Sequence, residues 1–195
     1  MCIRDSGGNS VAETVVAGMI VGEFIADFCD KAENGIDIPT SLIYGALAKE
    51  EARLKSFMNN GGSENAYEIR TRMQEIMTTK IGIFRKGADM ESAVAELEEL
   101  YKRSFKVSVK DVVGPNPELI YAYRTQKMLR VALSVAYGAL NRKESRGAHY
   151  REDFPVRNDI EWLNRTIATW KEGDTLPTLN YDCLLYTSDA ADEAR

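Results

Sequence analysis

The fold is decided by residues 117–141, which read PELIYAYRTQKMLRVALSVAYGALN. Apolar residues recur there every three or four positions, which is the period of an α-helix. The preceding Gly114-Pro-Asn-Pro117 is a firm break, and proline is tolerated in the first turn of a helix. Because the apolar face widens toward the C-terminal end, we predict that this helix is the central buried element of a bundle.

Four further helices are predicted before this one, each bounded by turn residues. The first runs from Ser10 to about Lys31 and begins with a capping box, in which Ser10 and Glu13 each bond the other's backbone N–H. The others cover residues 40–58, 63–79 and 89–105. Beyond Asn141, residues 144–159 are dense in charge, and residues 162–182 are predicted to form short extended pieces separated by turn residues. The predicted fold class is mainly α, a bundle of about five helices followed by short extended segments.

The composition is that of a globular domain rather than a fibrous or disordered chain. The 195 residues are 44% hydrophobic and 28% charged, with a net charge of -5. This acidity argues against a nucleic-acid partner, since phosphate binding needs clustered basic residues. The most apolar stretch, Val11–Cys29, contains Glu13, Glu23 and Asp27, so we expect that the chain does not itself span a membrane.

The two ends of the chain share an unusual property. Residues 1–6 and 183–188 can be encoded by one short DNA element read in opposite directions, which resembles a sequencing adapter. We therefore expect residues 1–6 and 183–195 to be artefacts of processing, and residues 7–182 to be an internal fragment of a longer protein. Of the three cysteines, only Cys29 lies within that fragment, so neither a disulfide nor a cysteine metal cluster is expected.

A glycine-rich turn precedes the first helix. Gly7-Gly-Asn-Ser10 delivers backbone N–H groups to a helix N-terminus, which carries a partial positive charge and suits an anionic or electron-rich ligand atom. The same residues are also typical of a plain helix cap. The turn alone leaves both interpretations open.

The second informative stretch is Glu144–Thr166, in which arginines and acidic residues are interleaved around His149. This pattern favours a mutually satisfied network of ion pairs that fixes the bundle to a neighbouring domain. His149 has the titration range of a general base. A single histidine within such a network is more often structural, so we assign it no catalytic role.

These two stretches together resemble a known family. Residues 7–13 (GGNSVAE) resemble the end of the Asn-Arg-Leu-Gly-Gly-Asn-Ser motif of the fumarate reductase and succinate dehydrogenase flavoprotein subunits, and residues 144–149 resemble their Glu-Ser-Arg-Gly-Ala-His motif. Residues 153–166 are most similar to fumarate reductases of the bacterial menaquinol type. L-aspartate oxidase has the same fold and close variants of both motifs, and a non-enzymatic helical interaction module is a further alternative.

The resemblance implies a larger α+β flavoprotein that binds FAD. Residues 7–32 would end the FAD-binding domain, residues 33–143 would form the helical domain, and residues 144–182 would begin the C-terminal domain. The positions that match flavin-contacting residues are Gly8, Asn9, Ser10 and Val11. Asp5, within the adapter-like end, stands where the family has its catalytic arginine. No catalytic residue is therefore assigned, and the fragment by itself is expected to be inactive.

The implied reaction of the parent is the interconversion of fumarate and succinate by flavin hydride transfer in anaerobic respiration. The implied partners are an iron–sulfur subunit and one or more membrane subunits that bind quinone. The resemblance also implies a peripheral location on the inner membrane, at its cytoplasmic face.

Overall fold

The computed structural model describes residues 10–31, 39–171 and 173–183. Contacts within the chain define two compact units. Of the described residues, one unit contains 10–31 and 39–52, and the other contains 53–171 and 173–183. The two units are described separately.

The smaller unit contains α1, Ser10–Lys31, and most of α2, Thr40–Lys55. Both helices begin where the sequence predicts, while the side chains of the predicted capping box lie outside the described ones. The apolar residues of α1 are exposed in this chain: Phe24 is 71% exposed and Phe28 is 68% exposed. The periodicity of α1 therefore marks an apolar surface that the described residues do not cover.

Helix α2 ends three residues before the predicted boundary at Met58. The chain turns after Lys55, and Met58 forms a parallel bridge with Val109. Phe57 is buried, at 2% exposure, and its backbone carbonyl accepts a hydrogen bond from the N–H of Val109, whose own carbonyl accepts from the N–H of Asn59. Pairing with a distant segment therefore outweighs the local helical pattern at this point.

The larger unit is built on three helices: α3, Ala66–Lys80; α4, Gly87–Ser104; and α5, Pro117–Asn141. Each of the three helices packs against the other two, so α5 lies in the core as predicted but shares the central position with α4. The side chains at the centre of the core are fully buried and almost all apolar. They include Ile69, Ile76, Met90, Leu97, Leu129 and Leu133.

Asparagine side chains define where two of these helices begin. Asn65 accepts a hydrogen bond from the backbone N–H of Tyr67, so α3 begins at Ala66, later than the predicted Ser63. Asn116 accepts from the backbone N–H of Leu119 and caps α5. Each side chain satisfies a donor that the helix cannot satisfy internally.

Short strands and one short helix complete the larger unit. Strand β1, Phe84–Arg85, pairs in parallel with β2, Tyr150–Arg151. Helix α6, Asp159–Trp162, leads into β3, Asn164–Thr169, which pairs antiparallel with β4, Thr178–Cys183. The predicted extended pieces after the bundle are thus a hairpin, and α6 is an addition that the sequence pattern did not predict. None of the described helices has the length and apolarity needed to cross a membrane.

Candidate functional site

The predicted flavin-contacting turn is described only in part. Ser10 and Val11 form the start of the 22-residue helix α1, whereas Gly8 and Asn9 lie outside the described residues. The first N–H groups of a helix have no partner within it and face along its axis. The described side chains include no group of three His, Cys, Asp or Glu residues able to hold a metal ion.

The charged segment, defined here as residues 144–159, is organised around one carboxylate. Glu144 is fully buried and accepts hydrogen bonds from Arg142, from Arg146 at 2.9 and 3.1 Å, and from the backbone N–H of Asn158 at 2.9 Å. Burial acts to raise the pKa of Glu144, but the bonds from Arg146, Asn158 and Arg142 outweigh it and hold the pKa below its usual value. Glu144 is therefore a buried carboxylate anion, and both of its oxygens accept hydrogen bonds from the surrounding groups.

The two arginines that bond Glu144 also bond residues in elements later in the chain. Arg142, just after α5, donates to the carbonyls of Trp162, at 3.0 Å, and Asn164. Its guanidinium also lies 5.3 Å from the centroid of the Trp162 ring. Arg146 pairs with Asp159 at the start of α6. One buried ionic cluster thus connects the end of α5 to α6 and β3.

A second ion pair lies at the C-terminus of α5. The Arg151 guanidinium donates to the carbonyls of Leu140 at 2.6 Å and Arg142 at 3.1 Å, and more weakly to that of Ala139. It also forms a two-bonded pair with the Asp153 carboxylate, at 2.9 and 2.6 Å. The carbonyls at a helix C-terminus lack partners within the helix and carry a partial negative charge. A guanidinium there donates hydrogen bonds to them and also offsets that charge.

Asp153 performs the complementary task at the N-terminus of α4. The residue before that helix, Lys86, makes no side-chain cap, and the Asp153 carboxylate lies beside the first helical residue, Gly87, whose backbone N–H makes a small contribution to lowering the pKa of Asp153. The bond from Arg151 is the main reason that the pKa of Asp153 lies below its usual value. The pair therefore lies between two helix ends, with each charge facing the end of opposite sign.

His149 links this region to the end of α3. Arg85 donates to the carbonyls of Ile81 at 3.2 Å and Gly82 at 2.8 Å, just past α3, and its guanidinium lies 2.5 Å from His149 Nδ1. His149 Nε2 faces the Arg142 carbonyl at 3.4 Å. Burial, followed by the charge of Arg85, lowers the pKa of His149 to about 4. The imidazole is neutral at pH 7 and buried, which is the geometry of a structural histidine.

Sequence reasoning did not single out two central members of this network, Arg85 and Arg142. Arg85 lies in a short apolar connection, and Arg142 lies just beyond α5. Neither position carries a local pattern that distinguishes it from an exposed basic residue. Their role arises from contacts across 64 and 22 positions of the sequence, respectively.

The network predicts that Glu144→Gln strongly destabilises the larger unit. The substitution leaves Arg142 and Arg146 buried without their shared negative charge, and breaking a buried pair in this way costs about 3–5 kcal/mol. We expect a lower free energy of unfolding in urea denaturation. The matched control is Glu75→Gln, which removes an exposed pair with Arg72 and should leave the urea midpoint unchanged. Equal midpoints for the two variants would contradict a central role for Glu144.

The capping arrangement predicts that Gly87→Ala destabilises the larger unit. An added Cβ would lie 2.7 Å from Asp153 Oδ2 and would displace the carboxylate from the helix end. Loss of a helix cap costs about 0.5–2 kcal/mol. In the control Gly138→Ala, the Cβ meets its nearest atom at 3.7 Å, so thermal unfolding should be unchanged or shifted upward. A Gly87→Ala protein as stable as the unsubstituted chain would show that Asp153 is not needed as a cap.

Comparison with known proteins places this geometry in a family. The family model described as fumarate reductase flavoprotein C-term matches residues 70–191. The fumarate reductase flavoprotein subunit of Helicobacter pylori is 48% identical over 178 residues, which cover 90% of this chain and 25% of the relative. The corresponding Escherichia coli subunit is 34% identical, covering 96% of this chain and 33% of the relative.

Solved structures agree with the sequence comparison. A quinol-fumarate reductase determined with menaquinol molecules has a TM-score of 0.77 at 35% identity, covering 89% of this chain and 30% of that one. The Mycobacterium smegmatis Sdh1 complex gives a TM-score of 0.67 at 27% identity, covering 80% of this chain and 26% of that one. The chain thus spans between a quarter and a third of the length of the curated relatives described above. It belongs to the fumarate reductase and succinate dehydrogenase flavoprotein family and corresponds to the C-terminal region of those subunits.

Proposed function

We propose that this chain is part of an FAD-dependent fumarate reductase flavoprotein that interconverts fumarate and succinate in anaerobic respiration. The observation that carries the proposal is the 48% identity to the Helicobacter pylori fumarate reductase subunit over 90% of the chain. The identity to the succinate dehydrogenase flavoprotein of Bacillus subtilis is lower, at 31%. This difference favours the reductase.

The start of α1 has suitable chemistry for a flavin contact. Backbone N–H groups at the start of a 22-residue helix carry partial positive charge, and the reduced isoalloxazine ring bears negative charge near N1 and the C2 carbonyl. Bound FAD would supply the hydride chemistry, while the protein sets its position and electronics. We assign Ser10 and Val11, with Gly8 and Asn9 of the preceding turn, to the flavin contact. Donors fixed at that point would favour the reduced form and raise the flavin potential.

The exposed apolar surface of α1 supports a domain arrangement for the longer parent. Ile25 and Phe28 are more than half exposed in this chain, and the relatives are three to four times longer than the region they share with it. We propose that the rest of the FAD-binding domain covers this surface. In that arrangement residues 7–32 end the FAD-binding domain, residues 33–143 form the helical domain, and residues 144–182 begin the C-terminal domain.

The proposed partners are an iron–sulfur subunit and membrane subunits that bind quinone. Two structural relatives support this proposal, since one was solved with menaquinol and the other as an Sdh1 complex. The parent would then lie peripherally on the cytoplasmic face of the inner membrane. Asp5 stands at the position of the family's catalytic arginine, so we propose that the chain alone does not turn over.

The reaction is tested on the chain completed with its upstream reading frame. We expect the purified flavoprotein to oxidise reduced viologen with fumarate and to be inert toward aspartate. The 195-residue chain serves as the inactive control. Aspartate oxidation without fumarate reduction would instead identify an L-aspartate oxidase. A completed protein that neither binds FAD nor acts on either substrate would identify a helical interaction module.

The flavin contact is tested separately by Ser10→Pro in the same completed protein. Proline has no backbone N–H, so the variant loses one donor at the start of α1 while proline remains tolerated in a first helical turn. We expect a lower flavin midpoint potential or a lower FAD content. Ser10→Ala, which keeps the N–H, should retain both. If Ser10→Pro changes neither quantity, the proposed contact is wrong.

A further inference from the structure

The bond between Arg85 and His149 fixes the protonation state of the histidine. A guanidinium can only donate hydrogen bonds, and its Nη1 lies 2.5 Å from His149 Nδ1. Nδ1 must therefore be the acceptor, which places the imidazole proton on Nε2, where it faces the Arg142 carbonyl at 3.4 Å. This pattern of bonds exists only for the neutral ring.

The surroundings of His149 do not accommodate a second proton. The charges that act on it come from Arg85 on β1, Arg142 at the end of α5 and Arg151 on β2, all positive. The acids of this region, Glu144 and Asp153, are bonded to Arg142 and Arg151. Protonation would turn Nδ1 into a donor that faces another donor and would bury a further cation among three guanidinium groups.

His149 lies where its protonation would affect the contacts between the charged segment and β1. His149 and Arg146 form a two-bonded backbone bridge within the charged segment, with N–O distances of 2.8 and 3.0 Å. Glu152, which follows strand β2, donates its N–H to the Arg85 carbonyl at 2.9 Å. The Arg85–His149 bond thus adds a side-chain link beside the pairing of β1 with β2. None of these bonds belongs to the apolar core of α3, α4 and α5.

We propose that His149 is an acid-sensitive latch that holds the charged segment against β1 and the ends of α3 and α5, and that its protonation opens the segment while the helical core stays folded. This function is independent of the proposed reaction.

The pH range follows from the two protonation equilibria. In the open segment the imidazole takes up a proton near its usual pKa of 6.5, whereas in the closed segment it does so only at about 4. Between these values the open form binds more protons, so opening becomes more favourable as pH falls. The total gain in the opening equilibrium constant is on the order of a hundredfold. Glu144 and Asp153, whose pKa values lie below those of ordinary carboxyl groups, remain ionised over the upper part of this range.

The first measurement needs no substitution, because the chain contains one histidine. A proton NMR titration of the intact chain should follow the His149 ring with a midpoint near pH 4, well below the usual value of 6.5. A midpoint near 6.5 would overturn the proposal, since a latch must be protected from protonation while closed.

The second measurement is hydrogen exchange of the same chain between about pH 6.5 and about pH 5, corrected for the intrinsic exchange rate. We expect the protection of the Arg146, His149 and Glu152 amides to fall about tenfold over this range. Amides in the middle of α4 and α5 should keep theirs. An equal loss of protection in the helices would mean global unfolding and would contradict a latch.

The matched variant is His149→Gln, whose side chain offers one acceptor and one donor but does not titrate in this range. In this variant the protection of the Arg146 and Glu152 amides should be independent of pH over the same interval. A pH dependence equal to that of the unsubstituted chain would assign the opening to other groups and overturn the role of His149. If the variant does not fold, the NMR midpoint of the unsubstituted chain still decides.

Discussion

Three helices of the larger unit bring one end each to the charged segment, and helix ends leave carbonyl and N–H groups that the helix itself cannot satisfy. The ends of α3 and α5 present carbonyls, and the start of α4 presents a donor. Arg85, Arg151 and Asp153 meet these three needs from outside the helices. Since Arg151 and Asp153 also bind each other, one ion pair joins two helix ends of opposite polarity. The position of the charged segment follows from this requirement.

The same requirement explains the residue types of the family motif at residues 144–149. Glu144 must accept several bonds at once in a buried site, which a carboxylate can do. Arg146 bonds both oxygens of Glu144, which suits the rigid, planar fork of a guanidinium better than the compact ammonium of a lysine. Gly147 has φ of 57°, in the left-handed region that favours glycine, and lies within the turn bridged by Arg146 and His149. The residue types of the motif are therefore explained by the local structure, without reference to any role in catalysis.

The sequence predicted those parts of the fold that depend on local patterns. Helix α5 was predicted from its period and from the Gly-Pro break before it, and the interleaved charges after it predicted a network of ion pairs. The end of α2 and the pairing of Phe84 with Tyr150 were not predicted, because each is fixed by a segment distant in sequence. The same applies to Arg85, whose partner is His149. Of the flavin-contacting positions, Ser10 and Val11 lie at the predicted helix start, and their assignment to FAD stays a prediction.

A buried ionic cluster is a weak source of net stability, because removing the charges from water costs as much as their pairing returns. An apolar replacement of similar volume would nevertheless fail here, since it would deprive the carbonyls of Leu140 and Gly82 of the donors that Arg151 and Arg85 supply. The charges are tied to the helix ends as well as to each other. A shift of the charged segment along the bundle would break both sets of bonds together, whereas an apolar surface would tolerate it. We infer that the network's main contribution is to fix a single position for the segment that leads into α6 and the β3–β4 hairpin.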